Sequence, residues 1–345
     1  MKDRFDRNID YLRISVTDRC NLRCVYCMPE EGVESIPHQD VLTYEEIMRL
    51  VRISAGLGVT RIRLTGGEPL VRKGIENLVA DIKSVPGIEQ VSITTNGILL
   101  PEKFEALHSA GIDAVNISLD TLDVEKFKKI TRREGFECVM EAIKLCTDAG
   151  IKTKINCVAM KGVNDDEFVA MAELARDLPV CVRFIEFMPV GKNDFEKCVP
   201  WQEIKDTLDA SFGPMAVDTE PHGNGPAVYF KLDGFKGSIG FISAMTCAFC
   251  DKCNRVRLTA EGFLKLCLQY DVGTSLRDIM RAGATDEELA IAIRTTVWNK
   301  PKEHTFNDYE GVEDIEEMLL SMMDGKFILL HQNRYLMLQH LKLLL

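Results

Sequence analysis

Three cysteines near the N-terminus, Cys20, Cys24 and Cys27, stand in a CxxxCxxC pattern directly after the apolar run 11–16. Three thiolates can hold three corners of a four-iron, four-sulfur cube and leave the fourth iron open to substrate or cosubstrate, whereas four ligands close a cluster for electron transfer alone. A structural zinc is the competing reading, but zinc sites commonly run CxxC and take four ligands. A second set lies far downstream, where Cys250, Cys253 and Cys267 form a CxxC, a thirteen-residue spacer and a last cysteine. That spacer holds the turn signal Ala260-Glu261-Gly262 between two strand-like runs, so a hairpin can return Cys267 beside the CxxC. Cys247 is available as a fourth ligand, which would close a cluster there or make a four-cysteine zinc ribbon.

Elements must bring these loops together. Strand-like runs at 11–16, 59–64, 90–94, 114–119, 152–158 and 182–187 alternate with amphipathic segments, the pattern of a parallel sheet with helices outside it. The helix expected over 43–56 opens on a capping box, Thr43 with Glu46. Six β/α units are too few for a closed eight-stranded barrel, so the expected fold is α/β, a partial (β/α)6 barrel. Active sites on such sheets collect at the C-terminal strand ends, where the first cysteine set, 66–69, 94–97, 118–120 and Met188 all fall. The texture changes after Gly191 to glycine-rich and aromatic stretches with short strands around 228–232 and 238–242. The expected organisation is therefore 1–191 as the barrel, 192–311 as a smaller α+β domain that carries the second site and caps the open side, and 312–345 as an atypical tail.

Buried parallel strands are usually continuous apolar runs, and several of these are not. In Val59-Thr-Arg-Ile-Arg-Leu64 the period of two sets Arg61 and Arg63 opposite Ile62 and Leu64; Arg13 and Lys154 repeat the pattern, and Arg183 adds to it. If Ile and Leu pack on the helices, the cations look into the barrel. Desolvating unpaired cations costs several kcal/mol each, so such an interior calls for an anion, and a triphosphate suits it. The alternative is that strand ends expose these side chains or that neighbouring Asp and Glu neutralise them.

Cys20, Cys24 and Cys27, with Tyr26 before the last, resemble the signature of the radical S-adenosylmethionine enzymes. The pairing of two cysteine sites, the Cys-Asn-Arg-Val-Arg-Leu-Thr after the second, and the segments Thr-Gly-Gly-Glu-Pro-Leu-Val-Arg, Thr-Thr-Asn-Gly, Asn-Ile-Ser-Leu-Asp-Thr-Leu and Gly-Asn-Gly-Pro-Ala-Val-Tyr are similar to the GTP 3′,8-cyclase family of molybdenum-cofactor biosynthesis, from about Asn8 to Gly311. This resemblance implies two [4Fe-4S] clusters, one on Cys20, Cys24 and Cys27 and one on Cys250, Cys253 and Cys267, with Cys247 outside the ligand set. It implies S-adenosylmethionine contacts at Tyr26, Gly67, Ser118 and Met188. GTP contacts are implied at Arg13, Arg63, Thr94, Lys154, Arg255 and Arg257, with Arg61 and Arg183 as helpers. The implied chemistry is radical: reductive cleavage of S-adenosylmethionine, removal of the 3′ hydrogen of GTP, and closure onto C8 to give 3′,8-cyclo-7,8-dihydro-GTP. Implied partners are an electron donor such as flavodoxin or ferredoxin, a downstream cyclic pyranopterin monophosphate synthase, and a second copy in a homodimer. Without the resemblance, Gly66-Gly67 reads as a plain turn, Met188 as core and Ser118 as a cap.

One departure from the family is the end of the chain. The family's Gly-Gly tail reaches the active site, but this sequence ends Leu-Gln-His-Leu-Lys-Leu-Leu-Leu345, and the likeness fades after Gly311. Cluster assembly and S-adenosylmethionine cleavage are expected to survive this change and cyclisation to suffer.

Composition limits the classes. With 42 basic and 53 acidic residues the net charge is −11, which disfavours a general nucleic-acid surface. Twelve cysteines without a signal peptide fit a reducing cytoplasm, and Cys138, Cys146, Cys157, Cys181 and Cys198 sit singly as small hydrophobes. The apolar span 327–345 is broken by His331, Arg334, His340 and Lys342 and does not read as a membrane helix. The rival functions are another radical enzyme with an auxiliary cluster, such as a peptide-modifying maturase, and a non-catalytic zinc-binding module.

Overall fold

Alternation along the strands decides which side chains meet the helices and which meet one another. In the computed structural model, which describes residues 1–188, 197–220, 222–223, 225–246 and 249–303, six parallel strands follow in chain order: β1 (Tyr11–Ser15), β2 (Arg61–Thr65), β3 (Gln90–Thr95), β4 (Ala114–Ser118), β5 (Lys152–Ala159) and β6 (Val180–Glu186). Helices α1 (Tyr44–Gly56), α2 (Ile75–Lys83), α3 (Leu100–Ser109), α4 (Val124–Thr131), α5 (Phe136–Asp148) and α6 (Phe168–Asp177) connect them. The expected capping box opens α1, where Thr43 accepts from the Glu46 N–H and Glu46 from the Thr43 N–H.

The outward positions Leu12, Ile14, Ile62, Leu64, Val91, Ile93, Val115, Ile117, Ile155, Val182 and Phe184 are buried in one apolar core with Ile47, Leu50, Val51, Leu78, Val79, Ile82, Val139 and Ile143 of the helices. Each such side chain removed from water contributes on the order of 1.5–3 kcal/mol. The opposite face is polar. In-register neighbours share a face, so Arg257, Arg13, Arg63 and Ser92 form one row across the sheet. Thr94, Asn116 and Lys154 form the next row.

The sheet does not close on itself: β1 and β6 are not neighbours. The later segment fills both edges with β7 (Ala216–Val217), β8 (Val228–Lys231), β9 (Ser238–Ile242), β10 (Arg255–Leu258), β11 (Phe263–Lys265) and β12 (Gly273–Ser275). Strand β10 pairs parallel to β1, and β9 parallel to β6, giving a twelve-stranded sheet in the order 12-11-10-1-2-3-4-5-6-9-8-7. The cap expected over 192–311 is thus woven into the barrel sheet from two sides, which protects both of its edges. Helices α7 (Trp201–Phe212), α8 (Leu276–Arg281) and α9 (Asp286–Trp298) complete this segment. Cys247 and the expected tail 312–345 lie outside the described residues.

Glu186, at the end of β6, ties the two segments. Its buried carboxylate accepts from the backbone N–H of Trp201 at 3.0 Å, Met245 at 2.8 Å and Thr246 at 2.9 Å. Glu186→Ala should therefore leave buried donors without acceptors and lower unfolding free energy by about 3 kcal/mol, with Glu186→Gln falling between. Urea denaturation checks this, and unchanged midpoints in both variants would remove Glu186 as the joint.

Candidate active site

The first cysteine loop leaves the C-terminal end of β1 and is held by backbone carbonyls bound to arginines. Arg132, in the left-handed region at φ 55°, donates from Nη1 to the carbonyls of Arg23 at 3.0 Å and Met28 at 3.1 Å, while Arg23 donates to the Cys20 carbonyl at 2.8 Å. The Cys27 N–H closes a turn on the Cys24 carbonyl at 2.9 Å. The Leu22 N–H points at the Cys20 sulfur at 3.4 Å. Burial raises the pKa of all three thiols, Cys24 to about 12, and Cys20 and Cys27 add to that rise as like charges on Cys24. Three thiols that destabilise one another's anions need a shared positive centre, and iron at each sulfur supplies it. Among the described residues no three His, Cys, Asp or Glu side chains converge tightly enough to grip a single ion. Three cysteine sulfurs are the donor type that iron–sulfur clusters take, so the chemistry of the donor set fits a cluster.

Two buried carboxylates shape this loop. Glu68 accepts from the Leu70 N–H at 3.0 Å, Thr95 Oγ1 at 2.7 Å and the Asn96 N–H at 2.6 Å, and burial raises its pKa. The N–H groups of Gly67 and Glu68 bind the Thr17 and Arg19 carbonyls, both at 2.8 Å. A Cβ on Gly67 would stand 2.4 Å from the Arg19 carbonyl oxygen. The close approach of Gly66-Gly67 is therefore to the cysteine loop, whose shape it sets. Tyr26 donates its hydroxyl to Asp120 at 2.7 Å, and burial pushes Asp120 up to about 6.

Beneath the loop lies the cationic face. Arg13, Arg63, Lys154, Arg183, Arg255 and Arg257 make no ion pair with a carboxylate among the described residues. Arg183 donates to Asn156 Oδ1 at 2.9 Å and Asn116 Oδ1 at 2.8 Å; Lys154 donates to the His222 carbonyl and to the Tyr229 hydroxyl at 3.2 Å. The Nε atoms of Arg13 and Arg255, the Thr94 hydroxyl and the Tyr11 hydroxyl are buried and find no hydrogen-bond partner among the described residues. Burial and neighbouring cations lower the pKa of Arg13, bring Arg63 and Arg257 to about 9, and bring Lys154 to about 7. Gly223 and Gly225 lay backbone over Lys154 and Arg183, with Cβ positions only 3.0 and 3.9 Å from their nitrogens. Orphaned donors and desolvated cations together make a receptor for a polyanion. Arg61 departs from the expectation: it pairs with Asp10 at 3.0 Å at the far end of β2 and is already neutralised.

The second cysteine set sits at the head of β10. Hairpin β10–β11 returns the chain to Cys267, as the turn signal implied. Burial raises the Cys253 pKa, but Lys300 and Arg255 outweigh it and the net shift is downward. Ser118 ends β4 in register with Asn156, and half-buried Met188 follows β6; both lie at C-terminal strand ends.

Comparisons with known proteins follow this geometry. A model described as the Radical SAM superfamily matches residues 14–175, and one described as Molybdenum Cofactor Synthesis C matches 180–306. The chain is 47% identical to a GTP 3′,8-cyclase of Pelotomaculum thermopropionicum over 322 residues, 92% of this chain and 98% of that protein. It is 45% identical to a GTP 3′,8-cyclase of Clostridium perfringens, over 91% of this chain and 97% of that one. The chain belongs to the GTP 3′,8-cyclase family. Among solved structures, Streptococcus suis SuiB bound to S-adenosylmethionine overlays with a TM-score of 0.58 at 16% identity, over 82% of this chain and 68% of that one, a likeness of fold alone.

For a GTP 3′,8-cyclase family member, sequence reasoning missed the supports. Glu68, Asp120, Asn116 and Asn156 were legible only as polar residues inside or just after apolar strands, a signal that marks them as inward-facing without giving a partner. The lowered Lys154 and Arg63 values carry a sign for anion binding. A bound anion favours the charged form, so above pH 7 binding must take up protons. Affinity for inorganic tripolyphosphate, read by calorimetry, should fall by on the order of tenfold from pH 7 to pH 9, and Lys154→Met should weaken binding and flatten that profile. A flat profile in the unsubstituted chain would show the chamber cations charged throughout.

Proposed function

We propose that this chain converts GTP to 3′,8-cyclo-7,8-dihydro-GTP by radical S-adenosylmethionine chemistry, the first step of molybdenum-cofactor biosynthesis. The observation that carries the reading is 47% identity to a GTP 3′,8-cyclase over 92% of the chain, and a sheet face whose cations pair with no carboxylate among the described residues supports it. Cys20, Cys24 and Cys27 would hold one [4Fe-4S] cluster, and Cys250, Cys253 and Cys267 a second. When bound, the first site supplies one-electron cleavage of a sulfonium, the source of a hydrogen-abstracting radical.

The protein's share is placement and exclusion of water. Arg13, Arg63, Lys154, Arg255 and Arg257 clamp the triphosphate, the guanidinium groups by paired N–H donors and Lys154 as a compact charge. Thr94, whose buried hydroxyl has no partner among the described residues, would offer it to the substrate. Arg183, fixed by Asn116 and Asn156, presents its charge without a rotamer search. Tyr26, Gly67, Ser118 and Met188 line the cosubstrate side. Asp120 holds Tyr26 between the cysteines. The expected division places the barrel over 1–191, while the two family models cover 14–175 and 180–306. An external one-electron donor such as flavodoxin or ferredoxin, and a cyclic pyranopterin monophosphate synthase to take the product, complete the reaction sequence; a homodimer in the cytoplasm is the expected setting. Among the described residues no helix is long and apolar enough to cross a membrane.

The test is anaerobic incubation of the reconstituted chain with S-adenosylmethionine, reductant and GTP. Deoxyadenosine should form in proportion to GTP, stop in Cys24→Ser, and fall on the order of a hundredfold in Arg257→Ala. Release that ignores GTP, or proceeds equally with ATP, would overturn the assignment.

A further inference from the structure

Two buried cations outside the substrate chamber converge on the second cysteine set. Arg7 is paired with Asp3 through Nε at 2.6 Å, with side-chain exposures of 6% and 0%. Its two remaining nitrogens donate to the Cys250 carbonyl at 2.9 Å, the Lys302 carbonyl at 2.7 Å and the Pro301 carbonyl at 2.6 Å. Lys300, 3% exposed, donates to the carbonyl of Leu266, the residue before Cys267. One short segment, 300–302, thus fastens the CxxC arm through Arg7 and the distant cysteine arm through Lys300.

No carboxylate pairs with Lys300 among the described residues, and the ionisable groups of opposite sign whose field reaches it are the Cys253 and Cys267 thiols. A buried ammonium with only carbonyl and thiol neighbours is costly unless those sulfurs carry charge. Three thiolates on a [4Fe-4S]²⁺ core leave a net negative charge, so cluster and ammonium relieve one another.

We propose that Arg7 and Lys300 are positioning residues for the second cluster: Arg7 sets the separation of the two cysteine arms, and Lys300 compensates the cluster's charge and raises its reduction potential. This rests on the second-cluster reading above. Outer groups of this kind hold a metal centre through orientation and charge, and their loss typically weakens retention ten- to a hundredfold.

The test uses the full chain with Cys20, Cys24 and Cys27 replaced by serine, so that only the second cluster assembles. In that background Lys300→Met should lose iron to a chelator about tenfold faster and shift the cluster's midpoint potential to more negative values. Lys300→Arg should restore the potential. Arg7→Gln should speed iron loss while leaving the potential in place. Unchanged retention and potential in Lys300→Met would overturn the proposal. In the chain with all six cysteines, Lys300→Met should keep iron at the first site; equal loss from both sites would show a collapse of the fold and also overturn it. If the background variant with Arg7 and Lys300 intact takes up no cluster, the second-cluster reading itself falls, and the brace falls with it.

Discussion

A parallel sheet whose inner face carries arginine and lysine that pair with no carboxylate among the described residues is the constraint from which the rest of this structure follows. Moving such ions out of water costs several kcal/mol each even after relaxation. The cost is visible in the groups themselves, with Lys154 driven to about 7 and Arg63 and Arg257 to about 9. A neutralising Asp or Glu on a neighbouring strand would have removed the strain and, with it, the affinity for phosphate. Arg61 shows that outcome, since Asp10 satisfies it and it takes no part in the chamber.

The outer face offsets this inner cost. Strands β1 to β6 turn their apolar half toward the helices, and the resulting core takes in residues from Leu12 to Phe241. Closing the barrel with further β/α units would have filled the interior with side chains, as in an eight-stranded barrel. Here the edges are instead covered by β9 and β10, which leaves the polar face as a chamber and brings Arg255 and Arg257 into the same row system as Arg13 and Arg63. The edge strand is therefore also a wall of the site.

Both cysteine loops are shaped by main-chain carbonyls that arginines hold. Arg132 and Arg23 grip the first loop, and Arg7 grips the second. Fixing main-chain carbonyls sets the geometry of each cysteine loop before any metal arrives. Gly67 serves the same end from below, where only a residue without a side chain can approach Arg19.

The amino-acid sequence alone marked out the first cysteine triad and a second cysteine group that includes Cys247 as an alternative, because a loop's covalent spacing limits which thiols can share a centre. It also determined the six strands, because period-two patterning reports which face is dry: Ile62 and Leu64 went outward and Arg63 inward as read. It left open which cations would stay unpaired, since Arg61 and Arg63 have the same local pattern and only the approach of Asp10 separates them. It also left open the roles of Arg7 and Lys300, whose carbonyl partners lie 34 to 295 positions away. Contacts of that separation exist only once β10 has paired with β1 and α9 has packed. Local chemistry is written in residue order, whereas burial and long-range pairing are decided by tertiary structure.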